Sequence, residues 1–138
     1  MALARKSIAF TVCDEVVAVL ENAGFQAVTD PCPHVDMTKV KGRQIFVTPG
    51  PVDVHPITRG SNEERIDVAI CVIEKPKTPG IDAQLELMHE IARLFSRAQL
   101  PSGTVTAVTP QHNLESWWSL RVFSGQVTLS VWLGVHGR

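Results

Sequence analysis

The stretch RVFSGQVTLSVWL, Arg121–Leu133, alternates between two kinds of residue. One parity is apolar apart from a glycine: Phe123, Gly125, Val127, Leu129, Val131 and Leu133. The other parity is mostly polar: Ser124, Gln126, Thr128, Ser130 and Trp132. Because successive side chains of a strand point to opposite faces, the pattern predicts a long strand over Trp118–Leu133 with one buried face. Gly125 predicts a bend or bulge within it.

The remaining elements follow from periodicity and from glycine and proline punctuation. Apolar residues at steps of three and four predict helices over Ser7–Ala23 and Ile81–Ala98. Shorter apolar runs predict strands at Phe25–Thr29, Gln44–Thr48, Arg65–Glu74 and Val105–Val108. This order predicts an α+β two-layer sandwich, with a mainly antiparallel sheet of about four or five strands and two helices packed on one face.

Two segments are expected to lie outside regular structure. Residues 49–64 contain three prolines and two glycines, which predicts a long flexible loop. Residues 134–138 are expected to form a frayed tail. The length of 138 residues predicts a single domain over 1–138.

Composition narrows the classes of partner. Lys and Arg number 13 and Asp and Glu number 14, so the net charge of −1 gives no reason to expect nucleic-acid specificity. No apolar run approaches a membrane span of about 20 residues, and no membrane partner is expected. Three widely spaced cysteines predict reduced thiols.

Possible catalytic and metal sites are each incomplete in the sequence. His89-Glu90 begins a helical zinc motif, but Arg93 stands where the second histidine belongs. Cys32-Pro33-His34 with Asp36 supplies too few ligands for a tetrahedral site. Asp53 and His55 are a possible acid–base pair in the predicted loop. We therefore predict no catalytic, cofactor-binding or metal-binding residue, and a protein that is not an enzyme.

The adjacent Trp117 and Trp118 are placed at the predicted start of the last strand. Neighbouring strand residues cannot both face one core, so one indole is expected to pack inside while the other points outward. An outward indole is either a rim residue on its own domain or an interface anchor, since tryptophan is enriched at binding hot spots.

Five segments in order resemble the tail terminator (tail completion, or minor tail) proteins of long-tailed bacteriophages. They are ARKSIAFTVCDEVVAVLENAG from Ala4, IFVTPGPVDVHPITRGSNEE from Ile45, ERIDVAICVIEK from Glu64, LELMHEIARLF from Leu85 and RVFSGQVTLSVWL from Arg121. The matches are patterns that cover most of the chain. Trp132 and the Cys32-Pro33-His34 segment depart from the family's pattern.

The resemblance implies a non-enzymatic α+β protein without cofactors. Such proteins form a ring, usually a hexamer, that caps the tail tube, ends tube polymerisation and presents a surface for head attachment. It implies three partners: further copies of the chain, the major tail tube protein and the head–tail connector protein. The implied location is the tail or neck of the virion, assembled in the bacterial cytoplasm.

The predicted loop, the tryptophan pair and the polar parity of the last strand are the candidate partner surfaces. The interface candidates are Val52, Asp53, Val54, His55, Ile57, Arg59, Trp117, Trp118, Gln126, Thr128 and Trp132. Three alternatives stay open: a head–tail connector or neck subunit, a small soluble enzyme, and a peptide-binding module that adds a strand at a sheet edge.

Overall fold

The structure is a computed structural model that describes residues 7–31, 33–77 and 80–137. The helices are α1 (Ile8–Asn22), α2 (Asp82–Phe95) and α3 (Glu115–Leu120), and a 3-10 helix spans Met37–Lys39. The strands are β1 (Val28–Thr29), β2 (Arg43–Thr58), β3 (Ser61–Glu74), β4 (Thr104–Asn113) and β5 (Phe123–Gly137).

The five strands form one sheet in the order β1-β2-β3-β5-β4. β1 is parallel to β2, and the other neighbours are antiparallel. The predicted α+β architecture, with a mainly antiparallel sheet and two main helices packed on it, is confirmed.

Both main helices lie on the same face of the sheet. The Ser7 hydroxyl accepts a hydrogen bond from the Phe10 N–H at 3.2 Å and so caps α1. Each helix then buries one stripe, which on α1 is Val12, Cys13, Val16 and Leu20 and on α2 is Leu87, Met88, Ile91 and Phe95. These stripes share one core with the apolar parities of β3 and β5. The predicted burial of one parity of β5 is confirmed, because Val127, Leu129 and Val131 are fully buried.

Of the bend or bulge predicted at Gly125, the bulge is not found. Gly125 pairs with Val72 of β3 and His112 of β4 without a register shift. A Cβ atom at this position would stand 2.8 Å from Cε of Met88, so the glycine lets α2 approach the sheet closely. The missing side chain serves helix packing, and the strand pairing continues in register through this position.

The predicted loop over 49–64 is instead a β-hairpin. β2 continues to Thr58, β3 begins at Ser61, and Arg59-Gly60 is a two-residue turn in which Gly60 has φ +92°. The prolines are tolerated because β1 pairs with β2 only at Phe46 and Val47, which leaves the rest of β2 as an edge strand. Register shifts between Pro49 and Val52 and between Pro56 and Thr58 absorb the irregularities.

The expected frayed tail is also strand through Gly137, while Arg138 lies outside the described residues. Gly134 pairs with Glu64, and the pairing continues to Gly137 opposite Ser61. Three strands therefore extend past the part of the sheet that the helices cover. We name this extension the arm, and it comprises residues 52–58 of β2, 61–65 of β3 and 133–137 of β5.

The prediction was also wrong around Trp117 and Trp118. Glu115–Leu120 is the short helix α3, and the last strand begins only at Phe123. β4 is longer than predicted and takes in much of the expected polar connection. Opposite the main helices, a small second cluster of Val40, Ile73 and Val122 covers one end of the other sheet face.

Candidate functional site: the arm, the open sheet face and α3

The arm concentrates exposed apolar side chains. Val54 and Ile57 are 47% and 51% exposed, and Val135 is 55% exposed. Val52 pairs with Ile66, a core residue, so Val52 and Val54 lie on the side of the sheet that carries the helices farther along. We name Val52 and Val54 the valine face of the arm. The core ends at Ile66, and none of the helices in the described part of the chain covers this face.

Charged side chains occupy the opposite side of the arm, and the contacting Glu64 and His136 side chains lie beside Val54 on the valine face. His55 Nε2 lies 2.9 Å from Asp53 Oδ2, and Arg65 donates to Glu63 at 3.0 Å. The register places Asp53 opposite Arg65 and His55 opposite Glu63. Acid therefore faces base across the two strands. The pair that the sequence suggested for acid–base chemistry is largely exposed and belongs to this charged surface.

A bulge at the base of the arm reverses which face each later side chain of β5 points to. Arg65 pairs with Trp132, whereas the next residue, Glu64, pairs with Gly134, so Leu133 is the extra residue. Val131 pairs with Ile66 and faces the core. Val135 is four residues later and would face the same side in a regular strand, but the bulge places it on the charged side, opposite Glu63. His136 Nε2 lies 3.3 Å from Glu64 Oε2 and links the end of β5 to β3.

Beyond the second cluster, the sheet face opposite the main helices is open and polar. The amide of Gln126 donates to the Thr128 hydroxyl at 3.0 Å, and Ser130 donates to Asp67 at 3.0 Å. A groove of about 460 Å³ runs beside Gln126. Its walls include Val35, Phe46, Cys71, Gln111 and His112.

The two tryptophans on α3 separate as predicted, although on a helix. Trp117 is 9% exposed, and the Arg121 guanidinium carbon lies 5.4 Å from the centre of its ring. This distance is within the range of a cation–π contact. Trp118 is 70% exposed, and Leu120 adds a second exposed apolar side chain. Trp117 therefore supports the fold, and Trp118 is the side chain available to a partner.

The interface candidates fall into three places. The arm carries Val52, Asp53, Val54, His55 and Ile57, and Arg59 lies in the turn at its tip. The open face carries Gln126 and Thr128, and Trp132 stands on that side at the base of the arm. The tryptophan pair lies on α3, before the start of β5. Sequence reasoning missed Val135 and Leu120, because the bulge and the short helix leave no periodic signal.

The two described cysteines are poorly suited to nucleophilic chemistry. Burial raises the pKa of the Cys13 thiol to about 11, and the adjacent Asp14 carboxylate adds to the effect. Burial also raises the pKa of Cys71, partly offset by a hydrogen bond with Thr48. Cys32 lies outside the described residues.

Asp36, which the sequence grouped with Cys32-Pro33-His34 as a possible metal ligand, has a local structural role. The Thr38 hydroxyl and then the Thr38 N–H lower the pKa of Asp36 by donating to its carboxylate. This interaction caps the 3-10 helix at Met37–Lys39. Among residues 7–31, 33–77 and 80–137, no three His, Cys, Asp or Glu side chains converge as metal ligands would.

The fold is similar to that of solved structures. A chain from the virion of a native gene transfer agent (GTA) particle aligns with a TM-score of 0.53 at 14% identity, over 94% of this chain and 99% of that one. A second solved chain aligns with a TM-score of 0.52 at 13% identity, over 94% of each. These likenesses show a shared fold.

A third solved chain comes from the cryo-EM structure of an extracellular contractile injection system, PVC sheath/tube terminator in the extended state. It aligns with a TM-score of 0.45 at 16% identity, over 99% of this chain and 60% of that one. No family model and no curated protein sequence matches the chain. Within the described ranges, none of the helices has the length and apolar character needed to cross a bilayer.

Proposed function

We propose that this chain is a virion structural protein of the tail terminator type. It forms a ring on the tail tube, ends tube polymerisation and presents a surface for head attachment. The role is structural and non-enzymatic, and its partners are further copies of the chain, the tail tube protein and the head–tail connector. The observation that carries the proposal is the arm.

The arm supports assembly because it exposes apolar side chains without a core of its own. Val54, Ile57 and Val135 are each about half exposed on a three-stranded extension. Strand pairing holds Val54 and Val135 in fixed positions, which lowers the entropy lost on binding. Val54 and Val135 lie on opposite faces, so each face of the arm offers exposed apolar surface, which marks interaction sites in soluble proteins.

The resemblance in sequence and the shared fold support a role in a virion. The five sequence segments resemble tail terminators, and the fold is shared along nearly its whole length with a chain of a gene transfer agent virion. We extend that setting to this chain as part of the proposal. The net charge of −1 lets several copies approach without strong mutual repulsion.

The test is a deletion of the gene in its phage, examined by electron microscopy of the particles. Complementation uses the wild-type chain and a variant with Val54→Asp and Ile57→Asp in the arm. The wild type should restore tails of uniform length bearing heads, and the arm variant should leave tubes of variable length. Normal, head-bearing tails in the deletion would overturn the proposal. Uniform tails that lack heads would assign the chain to the connector class instead.

A further inference from the structure

The exposed apolar side chains form two main patches at opposite ends of the sheet. The first is on the arm and the second on α3, while Ile8 and Val28 lie elsewhere. We name Trp118 and Leu120 the α3 patch. It directly precedes β5, whose far end is the arm. A strand rises about 3.3 Å per residue, so the length of β5 places the tip of the arm roughly 45 Å from α3.

This separation decides which contacts are possible. The two patches cannot meet within one chain, because β3 and β5 run through the core between them. They can meet between two copies. A surface at each end of an elongated subunit is what a head-to-tail contact requires, since such a contact joins two different patches.

Among charges of both signs at each end, one exposed cation stands at the tip of the arm and one exposed carboxylate on α3. Arg59 stands at the turn that ends the arm, and Glu115 opens α3 three residues before Trp118. Both side chains are exposed. Within the described residues neither forms an ion pair. A docked arm would bring the Arg59 guanidinium toward the Glu115 carboxylate beside the exposed indole.

We propose that the arm of one copy docks on the α3 patch of the next, with Trp118 against the valine face and Arg59 near Glu115. This inference rests on the proposed ring and names its subunit contact. Trp118 is the anchor of the contact, since a large rigid side chain gives much contact area at little entropic cost. The charge pair sets the direction of docking.

The first test is photo-crosslinking from position 118. A photoreactive phenylalanine analogue replaces Trp118 in particles assembled from a mixture of ¹⁵N-labelled and unlabelled chains. Mass spectrometry should find crosslinks to peptides spanning residues 52–59, in pairs that join labelled with unlabelled chains. Crosslinks to other regions of the chain, or an absence of crosslinks to the arm, overturn the contact. Failure of the wild-type chain to enter particles overturns the proposed function instead.

The second test exchanges the charges, with self-association followed by sedimentation and by incorporation into particles. Arg59→Glu and Glu115→Arg should each weaken assembly at least about threefold, and the two together should restore it. Trp118→Ala should weaken it at least about tenfold without lowering thermal stability. Val28→Thr, an exposed apolar site outside both patches, is the matched control and should have no effect. A double charge variant no better than the worse single variant overturns the pairing.

Discussion

Glu15 on α1 accepts two hydrogen bonds from Ser102, one from its backbone N–H at 2.9 Å and one from its hydroxyl at 2.5 Å. The two residues are 87 positions apart, and both are partly buried. This pair joins α1 to the turn that leads into β4. A carboxylate that satisfies both donors of one residue fixes the position of the turn as well as stabilising it.

Removing this carboxylate should destabilise the fold. We expect Glu15→Ala to lower the free energy of unfolding by about 1–3 kcal/mol, because a partly buried N–H loses its acceptor. Ser102→Ala keeps that N–H bonded and should cost less. Urea unfolding of both variants measures the difference. Equal losses would show that the hydroxyl bond carries the interaction.

Two closely packed glycines predict unequal tolerance to alanine. A Cβ on Gly103 would stand 2.2 Å from the carbonyl oxygen of Trp132, a backbone atom that cannot yield alone. A Cβ on Gly125 would meet the flexible end of Met88 at 2.8 Å. We expect Gly103→Ala to cost about 3 kcal/mol and Gly125→Ala about 1 kcal/mol. Denaturant titration of the two variants tests the order, and the reverse order would contradict it.

The Cys13 thiol predicts a loss of stability in alkali. Its pKa is about 11 in the folded chain against 9.0 ordinarily, so the unfolded chain loses this proton first. The contribution is complete below pH 9 and falls as the pH rises toward about 11. Stability measured from pH 8 to 11 should decline less steeply in Cys13→Ala than in the wild type. Stability curves that run parallel for the wild type and Cys13→Ala would contradict this role of Cys13. Cys71→Ala, which removes the other described thiol with a raised pKa, is the matched comparison.

The edge prolines predict an effect on aggregation. Along the arm, β2 has β3 on one side only, and a proline offers no N–H to an incoming strand. We expect Pro56→Val to increase aggregation, measured by light scattering on gentle heating. Pro101→Val, at an exposed turn outside the strands, should behave as the wild type. Light scattering from Pro56→Val equal to that of the wild type would show that Pro56 does not protect against aggregation.

The sequence was sufficient for the elements whose burial is regular. The alternation from Phe123 to Val131 and the apolar stripe of α2 arise because each element buries one face. The fold class could be predicted from these patterns. The sequence suggested an antiparallel pairing of Gln44–Thr48 with Arg65–Glu74, which the structure has. The extension of this hairpin through residues 49–64 was missed because proline is unfavourable only where its missing N–H is needed. The edge position of β2, which removes that need, arises from strands distant in sequence.

The candidate surfaces were harder to predict than the fold. Six of the residues from the expected loop do lie together, but on an ordered arm, with Arg59 in the turn at its tip, and the two faces of the arm differ. That division depends on pairing register, and the bulge at Leu133 reverses it for Val135. Trp117 and Trp118 alternate in burial as a strand would have them, yet α3 is only six residues long and too short to show a helical period.

β3 is a single uninterrupted strand that serves both the arm and the core. Asn62 and Glu64 belong to one end of the same backbone ladder that holds Val68 and Ile70 in the core. A partner that binds only the native arm would thereby favour the native sheet as a whole, by mass action. Binding of a partner at the tip of the arm should therefore raise the melting temperature of the whole sheet, including the hydrophobic core that the partner does not contact.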